Sequence, residues 1–151
     1  MIRPAIHSDI PRIVELGRLL HDTSSYAALS FDDGKVAALM AALIDGAGVI
    51  FVAERDGLVV GGIAGGITEH WFSRDKLAFD YSFFIDPAHR HGITAMKLAS
   101  AFMEWARLRG VSRISMGITT DINLEGTTRL YHALGMKNAG ILFMKEINDG
   151  R

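Results

Sequence analysis

The sequence of 151 residues predicts an α/β fold of the α+β type, in which a mixed central sheet is flanked by helices. Hydrophobic residues make up 49% of the chain and charged residues 22%, a composition that supports a packed core. Helical and strand-like patterns alternate in the order strand, two helices, three strands, helix, strand, helix, strand. No repeat or linker is visible, so residues 1–151 are expected to form a single domain.

Charge and cysteine content argue against several classes of function. The formal net charge of -1 offers no general attraction to nucleic acid or to acidic membranes. The chain has no cysteine, which excludes a thiol nucleophile and thiolate metal ligands. His89 and His91 form an H-x-H pair without a further ligand at a recognisable spacing, so no metal is expected. No signal sequence or membrane-spanning run is recognisable, and we expect a cytoplasmic protein.

The first part of the chain predicts one strand and two helices. Residues 1–5 form a short strand, and a helix follows with Ser8 as its cap and Pro11 in its opening turn. A second helix is expected from about Asp33 to Ile44. The Ser- and Asp-bearing segment before it, residues 21–32, is expected to be an exposed connection.

Three strands are expected next. Two of them are joined at Arg55, Asp56 and Gly57, where Asp-Gly is a strong hairpin signal, and Gly61 and Gly62 indicate a bulge in the second arm. In the third strand, from Leu77 to Ile85, every odd position is apolar, which predicts one strongly buried face. Asp80 and Ser82 are expected to share the opposite, less apolar face.

Helices and strands alternate in the second half of the chain. A long helix is expected to begin after Arg90 and to be stopped by Gly110. A strand over residues 112–119 follows, and then a helix capped by Asn123 and ended by Gly135. The segment AGILFMKEI, residues 139–147, is expected to be the final strand.

The turn before the long helix is a candidate anion site. After Pro87 the chain runs through Arg90 and Gly92 to the point where the helix exposes its free N–H groups. These donors, the helix dipole and the Arg90 guanidinium together suit a pyrophosphate. Gly92 would let the backbone approach such a ligand. The same residues are also compatible with a solvated turn that only joins a strand to a helix.

Two segments of the chain resemble the GNAT superfamily, the Gcn5-related N-acetyltransferases. Residues 90–95, RHGITA, lie on the family's pyrophosphate-loop pattern Q/R-x-x-G-x-G/A, although Ile93 stands where the middle glycine usually is. Downstream, RLYHALGM over residues 129–136 is similar to the helix signature R-L-Y-x-x-x-G-F, with Met136 in place of Phe. The chain is more narrowly similar to compact bacterial and phage-associated members.

This resemblance implies an acetyl-CoA-dependent N-acetyltransferase that moves an acetyl group to a primary amine by direct attack. Acetyl-CoA is the implied cosubstrate, the amine acceptor is left open, and a homodimer is an expectation from the same resemblance. The expected cofactor-binding residues come from the strand end, the turn and the later helix cap: Phe84, Ile85, Arg90, His91, Gly92, Ile93, Thr94, Ala95 and Asn123.

Two residues are expected to carry the chemistry that the resemblance implies. Tyr131 matches the family position near the CoA sulfur, where a phenol can protonate the leaving thiolate; on its own pattern it reads equally well as a core aromatic. Asp80 is the candidate base, with Glu69 and His70 as alternatives, and a buried partner role for Asp80 is equally compatible.

Two further functions stay open at the level of sequence. One is a GNAT-shaped module that binds acyl-CoA without efficient turnover, which the Ile93 departure motivates. The other is an interaction protein associated with a phage-like particle, for which no CoA affinity is expected.

Overall fold

The computed structural model describes residues 1–90, 93–118, 120 and 122–147. Its elements are β1 (Ile2–Pro4), α1 (Ile10–Asp22), α2 (Asp33–Ala42), β2 (Val49–Arg55), β3 (Leu58–Glu69), β4 (Lys76–Ile85), α3 (Thr94–Leu108), β5 (Arg113–Ser115) and α4 (Leu124–Ala133). The strands form one sheet in the order β1-β2-β3-β4-β5. Neighbours are antiparallel except β4 and β5, which run parallel, so the predicted mixed sheet is confirmed.

Helices on the sheet divide the core into two layers. One layer joins α1 and α2 to the sheet through buried side chains that include Leu16, Met40 and Phe84. The other joins α3 to the sheet through Leu98 and Phe102, which are completely buried. Each such side chain contributes roughly 1.5–3 kcal/mol by leaving water. This packing fixes the N-terminal end of α3 close to the end of β4. None of the described helices is long and apolar enough to cross a membrane.

The start of α1 differs from the sequence prediction. Pro11 lies in the opening turn as expected, but Ser8 is not the cap. Residues His7–Asp9 form a 3-10 turn instead. The Asp9 carboxylate closes this turn by accepting a hydrogen bond from the Ile6 N–H at 2.9 Å. A carboxylate with two acceptor oxygens can close a turn and still hold another partner, which a serine hydroxyl does less well.

The predicted hairpin between β2 and β3 is confirmed. Asp56 and Gly57 both have positive φ, at 52° and 78°, as a two-residue hairpin turn requires. The register of the two strands shifts beside Ala53, which leaves Val60 of β3 without an opposite residue. The bulge predicted for the second arm therefore lies next to Gly61.

A second bulge overturns the predicted face pattern of β4. The register with β3 shifts between Asp80 and Ser82, so Tyr81 is an extra residue opposite β3. Because side chains alternate along a strand, an inserted residue moves the following ones to the other face. Asp80 therefore shares a face with Ala78, under α3, whereas Ser82 shares the opposite face with Phe84. The expectation that Asp80 and Ser82 share a face is wrong.

The later helices end where the sequence predicts. Gly110 and Gly135 have φ of 76° and 87° after α3 and α4, a conformation that glycine adopts without steric cost. Asn123 caps α4, since its Oδ1 accepts a hydrogen bond from the Gly126 N–H at 3.2 Å.

The predicted strands of the last third are shorter or not formed. β5 covers Arg113–Ser115 rather than residues 112–119. Residues 139–147, expected to be the final strand, form no helix or strand, and their large apolar side chains are exposed. A strand exists only where its backbone groups pair with a neighbour, and within the described chain this segment does not join a ladder.

Candidate active site

The candidate site lies where β4 and β5 separate. The two parallel strands pair over three residues each, from Leu77 opposite Arg113 to Phe79 opposite Ser115. Beyond this point β4 continues to Ile85, whereas the chain leaves β5 and proceeds to α4. The gap opens into a cavity of about 800 Å³, a size suited to a small molecule or a cofactor.

The predicted site residues that the structure describes all line this cavity. Its lining includes Asp80, Phe84, Ile85, Arg90, Ile93, Thr94, Ala95, Asn123 and Tyr131. His91 and Gly92, also predicted to bind the cofactor, lie outside the described residues. Glu69 and His70, the alternative bases, are not among the lining residues. The structure therefore brings Asp80 rather than either alternative into the same cavity as Tyr131.

Asp80 and Tyr131 are linked through the backbone at Gly117, just beyond β5. The Tyr131 hydroxyl donates a hydrogen bond to the Gly117 carbonyl at 3.3 Å, and the side chain is only 7% exposed. The half-buried Asp80 carboxylate lies near the backbone of its own residue and of Gly117, and both backbone groups favour its charged form. The divergence of the two strands is what allows both side chains to reach the same stretch of backbone.

Burial raises the pKa values of both Asp80 and Tyr131. Desolvation raises the pKa of Asp80 from 3.8 to about 6, against the smaller lowering effect of its backbone hydrogen bonds. Desolvation, followed by the nearby Asp80 charge, also raises the pKa of Tyr131 above its usual value of 10. At neutral pH the carboxylate is therefore ionised and more basic than usual, while the phenol keeps its proton.

The first turn of α3 forms the other end of the cavity. The residue before the helix, Ile93, provides no side-chain cap, so the first N–H groups of the helix lack an intrahelical acceptor. Thr94, Ala95 and Met96 from this turn line the cavity. The backbone at Ile93 has φ of -106°, which any residue adopts, so the isoleucine in place of the family glycine does not strain the chain here.

Arg90 lines the same cavity as this first helical turn. Its Nε donates to the Ile85 carbonyl at 2.8 Å, and its guanidinium lies 5.0 Å from the centre of the Phe84 ring. Desolvation lowers its pKa, with a smaller opposing effect from Asp86. Asp86 itself pairs with Arg12 at 3.1 Å. Within the described part of the chain no carboxylate forms an ion pair with Arg90, so its charge is available to an anionic ligand.

The segment over residues 21–32 contributes to the cavity, which its prediction as an exposed connection missed. It contains a 3-10 turn, Ser25–Ala28, and Tyr26 of this turn lines the cavity together with Leu20 from α1. The Ser25 N–H donates to the Thr120 carbonyl at 3.0 Å, which ties the turn to the chain beyond β5. The aromatic residues Tyr26 and Phe31 within this stretch were a signal that the sequence offered.

A second guanidinium reaches the first turn of α3. Arg55, the last residue of β2, donates from Nη2 to the Thr94 hydroxyl at 3.3 Å. Sequence reasoning assigned Arg55 only to the hairpin, because the meeting of β2 with α3 depends on the packed fold. Thr94 is 9% exposed, so this contact helps to hold the buried start of the helix in place.

Comparison with known proteins gives a family match over most of the chain. The model of the Acetyltransferase (GNAT) family matches residues 13–136. No curated protein sequence matches the chain significantly.

Solved acetyltransferase structures share the fold. AAC(6')-Iy, in complex with the bisubstrate analog CoA-S-monomethyl-acetylneamine, has a TM-score of 0.76 at 16% identity, with 97% of each chain covered. Glucosamine-6-phosphate N-acetyltransferase from Arabidopsis thaliana has a TM-score of 0.74 at 19% identity, with 98% of each chain covered. The aminoglycoside acetyltransferase HMB0005 from an uncultured soil metagenomic sample has a TM-score of 0.72 at 18% identity, with 98% of each covered.

These structural likenesses, all at low identity, concern the fold, whereas the family match extends from α1 to the end of the helix signature that the sequence resembles. The match also contains β4, the turn at Arg90 and α3, the elements that surround the cavity. The chain therefore belongs to the Acetyltransferase (GNAT) family.

Proposed function

We propose that this acetyltransferase moves the acetyl group of acetyl-CoA to a primary amine by direct attack in the cavity between β4 and β5. The observation that carries the proposal is the joint position of Asp80 and Tyr131, which line one cavity and meet the backbone at Gly117. The absence of cysteine agrees with direct attack rather than transfer through a thiol. The cytoplasmic location expected from the sequence stays a prediction.

The first turn of α3 fits the pyrophosphate of CoA. Its N–H groups are uncapped by any described side chain, and the helix dipole favours negative charge at this end. Arg90 supplies a guanidinium that has no carboxylate partner among the described residues. Phe84 and Ile85 continue the cavity wall along β4, where the rest of the cofactor would extend. Bound acetyl-CoA would supply the thioester, the activated acyl group for the transfer.

Asp80 is proposed as the base that prepares the amine. With a pKa of about 6 it is ionised at neutral pH, yet it binds a proton more readily than an ordinary aspartate. The nitrogen of the neutral amine bonds to the acetyl carbon and loses one proton to Asp80. As the carbon–sulfur bond breaks, the sulfur leaves as a thiolate and takes a proton from the Tyr131 hydroxyl. The protons on Asp80 and Tyr131 are then restored by exchange with solvent, which completes the cycle.

The two groups act in sequence because the charge of one affects the other. The Asp80 carboxylate is a cause of the raised pKa of Tyr131, since a negative charge disfavours a second one nearby. Once Asp80 has taken the amine proton it is neutral, and this contribution disappears. Tyr131 is therefore the stronger acid at the stage when the thiolate leaves. The Tyr131 hydroxyl donates its one hydrogen to the Gly117 carbonyl, so it must turn from this carbonyl to the sulfur before it gives up the proton.

The proposed acceptor is a small molecule with a single amine. The names of the structural relatives suggest an amino sugar, since they include aminoglycoside and glucosamine-6-phosphate acetyltransferases. Among the described lining residues Asp80 is the one carboxylate, and most of the others are apolar or aromatic. A ligand with many positive charges would require more acidic contacts than these residues provide. An uncharged body with one amino group suits this lining better.

Cofactor binding is tested by thermal unfolding of the parent and the Arg90→Ala variant. A ligand at about 100 times its Kd stabilises the native state by about 2.7 kcal/mol, which raises the midpoint by several degrees. If Arg90 contributes about tenfold in affinity, the variant should show about half of this stabilisation. Arg109→Ala serves as the control, since this guanidinium lies over Trp105 at the far end of α3. Equal shifts in both variants would remove Arg90 from the site, and no shift in the parent would contradict CoA binding.

A further inference from the structure

Asp86 places a negative charge beside the turn that carries Arg90. Its Oδ1 accepts a hydrogen bond from the Ala88 N–H at 3.0 Å, and this bond caps the 3-10 turn Pro87–His89. The Asp86 side chain is 20% exposed, so solvent screens its charge only in part. The carboxylate thus shapes the turn, but the same charge would repel an anion bound at Arg90.

Arg90 is close enough to Asp86 to respond to this charge. The Arg90 Nε donates to the carbonyl of Ile85, the residue before Asp86, at 2.8 Å. Desolvation lowers the pKa of Arg90, and the Asp86 carboxylate opposes this effect. Arg90 and Asp86 nevertheless form no ion pair with each other. The Asp86 carboxylate is therefore held by another group.

Arg12 of α1 holds the carboxylate. Its Nη2 donates to the Asp86 Oδ2 at 3.1 Å, and its Nε donates to the Val59 carbonyl at 2.9 Å. Its Nη1 donates to the Glu15 carboxylate at 2.7 Å, so three contacts fix the guanidinium. The Nδ1 of His89 lies farther from the same Asp86 oxygen, at 4.0 Å, and is not hydrogen-bonded to any described group.

The guanidiniums of Arg12 and Arg90 lie on the same side of the sheet. Arg90 lies over the Phe84 ring, and Phe84 belongs to the core layer that α1 and α2 cover. Arg12 reaches Asp86 from α1 itself. If Arg12 were absent, Asp86 would be left with an unpaired charge next to Arg90. An ion pair between the two would then compete with any anionic ligand of Arg90.

We propose that Arg12 is a positioning residue for cofactor binding, which holds the Asp86 carboxylate and thereby leaves the Arg90 guanidinium free for the pyrophosphate of acetyl-CoA. This role depends on the proposed function, in which Arg90 binds that pyrophosphate. Arg12 is not among the described residues that line the cavity, so it acts through Asp86 rather than by contact with the ligand. Arg12 and Asp86 therefore have opposite effects on the affinity for acetyl-CoA.

A double-mutant cycle on the Kd of acetyl-CoA, measured by calorimetry, tests this role. Arg12→Gln should raise the Kd roughly tenfold, the effect of one well-placed charge interaction. Asp86→Asn should bind at least as tightly as the parent, because the asparagine oxygen still accepts the Ala88 N–H but carries no charge. The double variant should return to within about twofold of Asp86→Asn, since the competing carboxylate is gone.

Arg18→Gln is the matched control for the loss of a guanidinium from α1. Arg18 pairs with Asp33 rather than with Asp86, and its variant should keep the Kd of the parent. An ion pair that only supports the fold would give weaker binding in both Arg12→Gln and Asp86→Asn, without recovery in the double variant. That result would overturn the proposal.

Asp86→Asn also decides the sign of the effect if Arg12→Gln does not fold. It leaves the contacts of Arg12 with Val59 and Glu15 in place, and binding clearly weaker than that of the parent would overturn the proposal. Tight binding by the parent with no loss in a folded Arg12→Gln would overturn the role of Arg12 alone. A parent that does not bind acetyl-CoA would contradict the proposed function, and the role of Arg12 with it.

Discussion

Replacement of Asp80 by asparagine is expected to lower kcat/KM for the amine by roughly 10²- to 10⁴-fold, the usual contribution of a general base. The change keeps the size and shape of the side chain but removes the proton acceptor. Acetyl-CoA binding should be little altered, because Arg90 and the first turn of α3 are intact. Asp75→Asn is the control, since Asp75 is exposed in the loop before β4 and does not line the cavity.

The pH profile identifies the group responsible. The parent should lose kcat/KM as the pH falls below about 6, because protonation of Asp80 removes the base. Asp75→Asn should keep this acidic limb, whereas Asp80→Asn should show a low rate without it. An unchanged limb in Asp80→Asn would assign the titration to another group and would contradict the role of Asp80.

The same substitution should stabilise the fold at alkaline pH. The native pKa of Asp80, about 6, lies above its usual 3.8, so the native state binds more protons than the unfolded state between these values. Stability from this group is therefore lost as the pH rises through that window. Asparagine does not ionise, so it does not lose stability in this pH range. At pH 8 the free energy of unfolding of Asp80→Asn should exceed that of the parent by up to about 3 kcal/mol. Chemical denaturation at pH 4 and pH 8 measures the difference, and equal effects at both pH values would contradict this origin.

Replacement of Tyr131 by phenylalanine is expected to lower kcat by roughly 10²-fold while leaving the Kd of acetyl-CoA nearly unchanged. The ring continues to fill its buried position, but the thiolate loses its proton donor. The hydrogen bond to Gly117 is also lost. Tyr81→Phe is the matched control, because this phenol lines the same cavity and is 51% exposed. Its kcat should fall much less. An unchanged kcat in Tyr131→Phe would remove Tyr131 from the mechanism.

The coupling between the two groups has a spectroscopic signature. With ¹³C-labelled tyrosine, the resonance of Tyr131 should titrate at lower pH in Asp80→Asn than in the parent, since the nearby charge is gone. A Tyr131 titration that does not move in Asp80→Asn would contradict the coupling, even if both single variants were inactive.

Local signals in the sequence predicted most of the fold. Asp56–Gly57 predicted the hairpin because the turn needs two residues with positive φ. Gly110 and Asn123 marked helix ends through their own conformations. The gathering of Asp80, Arg90 and Tyr131 in one cavity was expected from the family resemblance rather than from spacing.

The features that sequence did not predict depend on contacts between distant residues. The bulge at Tyr81 arises from the register with β3, and no residue type within β4 marks it. The meeting of Arg55 with Thr94 likewise exists only once β2 and α3 have packed. Residues 139–147 have the pattern of a strand, but a strand also requires an edge to pair with. In the described part of the chain, residues 139–147 do not pair with any strand of the sheet.

Acetyl transfer is tested most directly by measuring the release of free thiol from acetyl-CoA in the presence of small primary amines. A thiol reagent can follow it without background, because the protein has no cysteine. We expect amine-dependent release with a matching acetylated product, and a rate at least about a hundredfold lower in Asp80→Asn. Tight binding of acetyl-CoA with no release for any amine, at a pH above 6, would contradict a transferase and leave an acyl-CoA-binding module in its place.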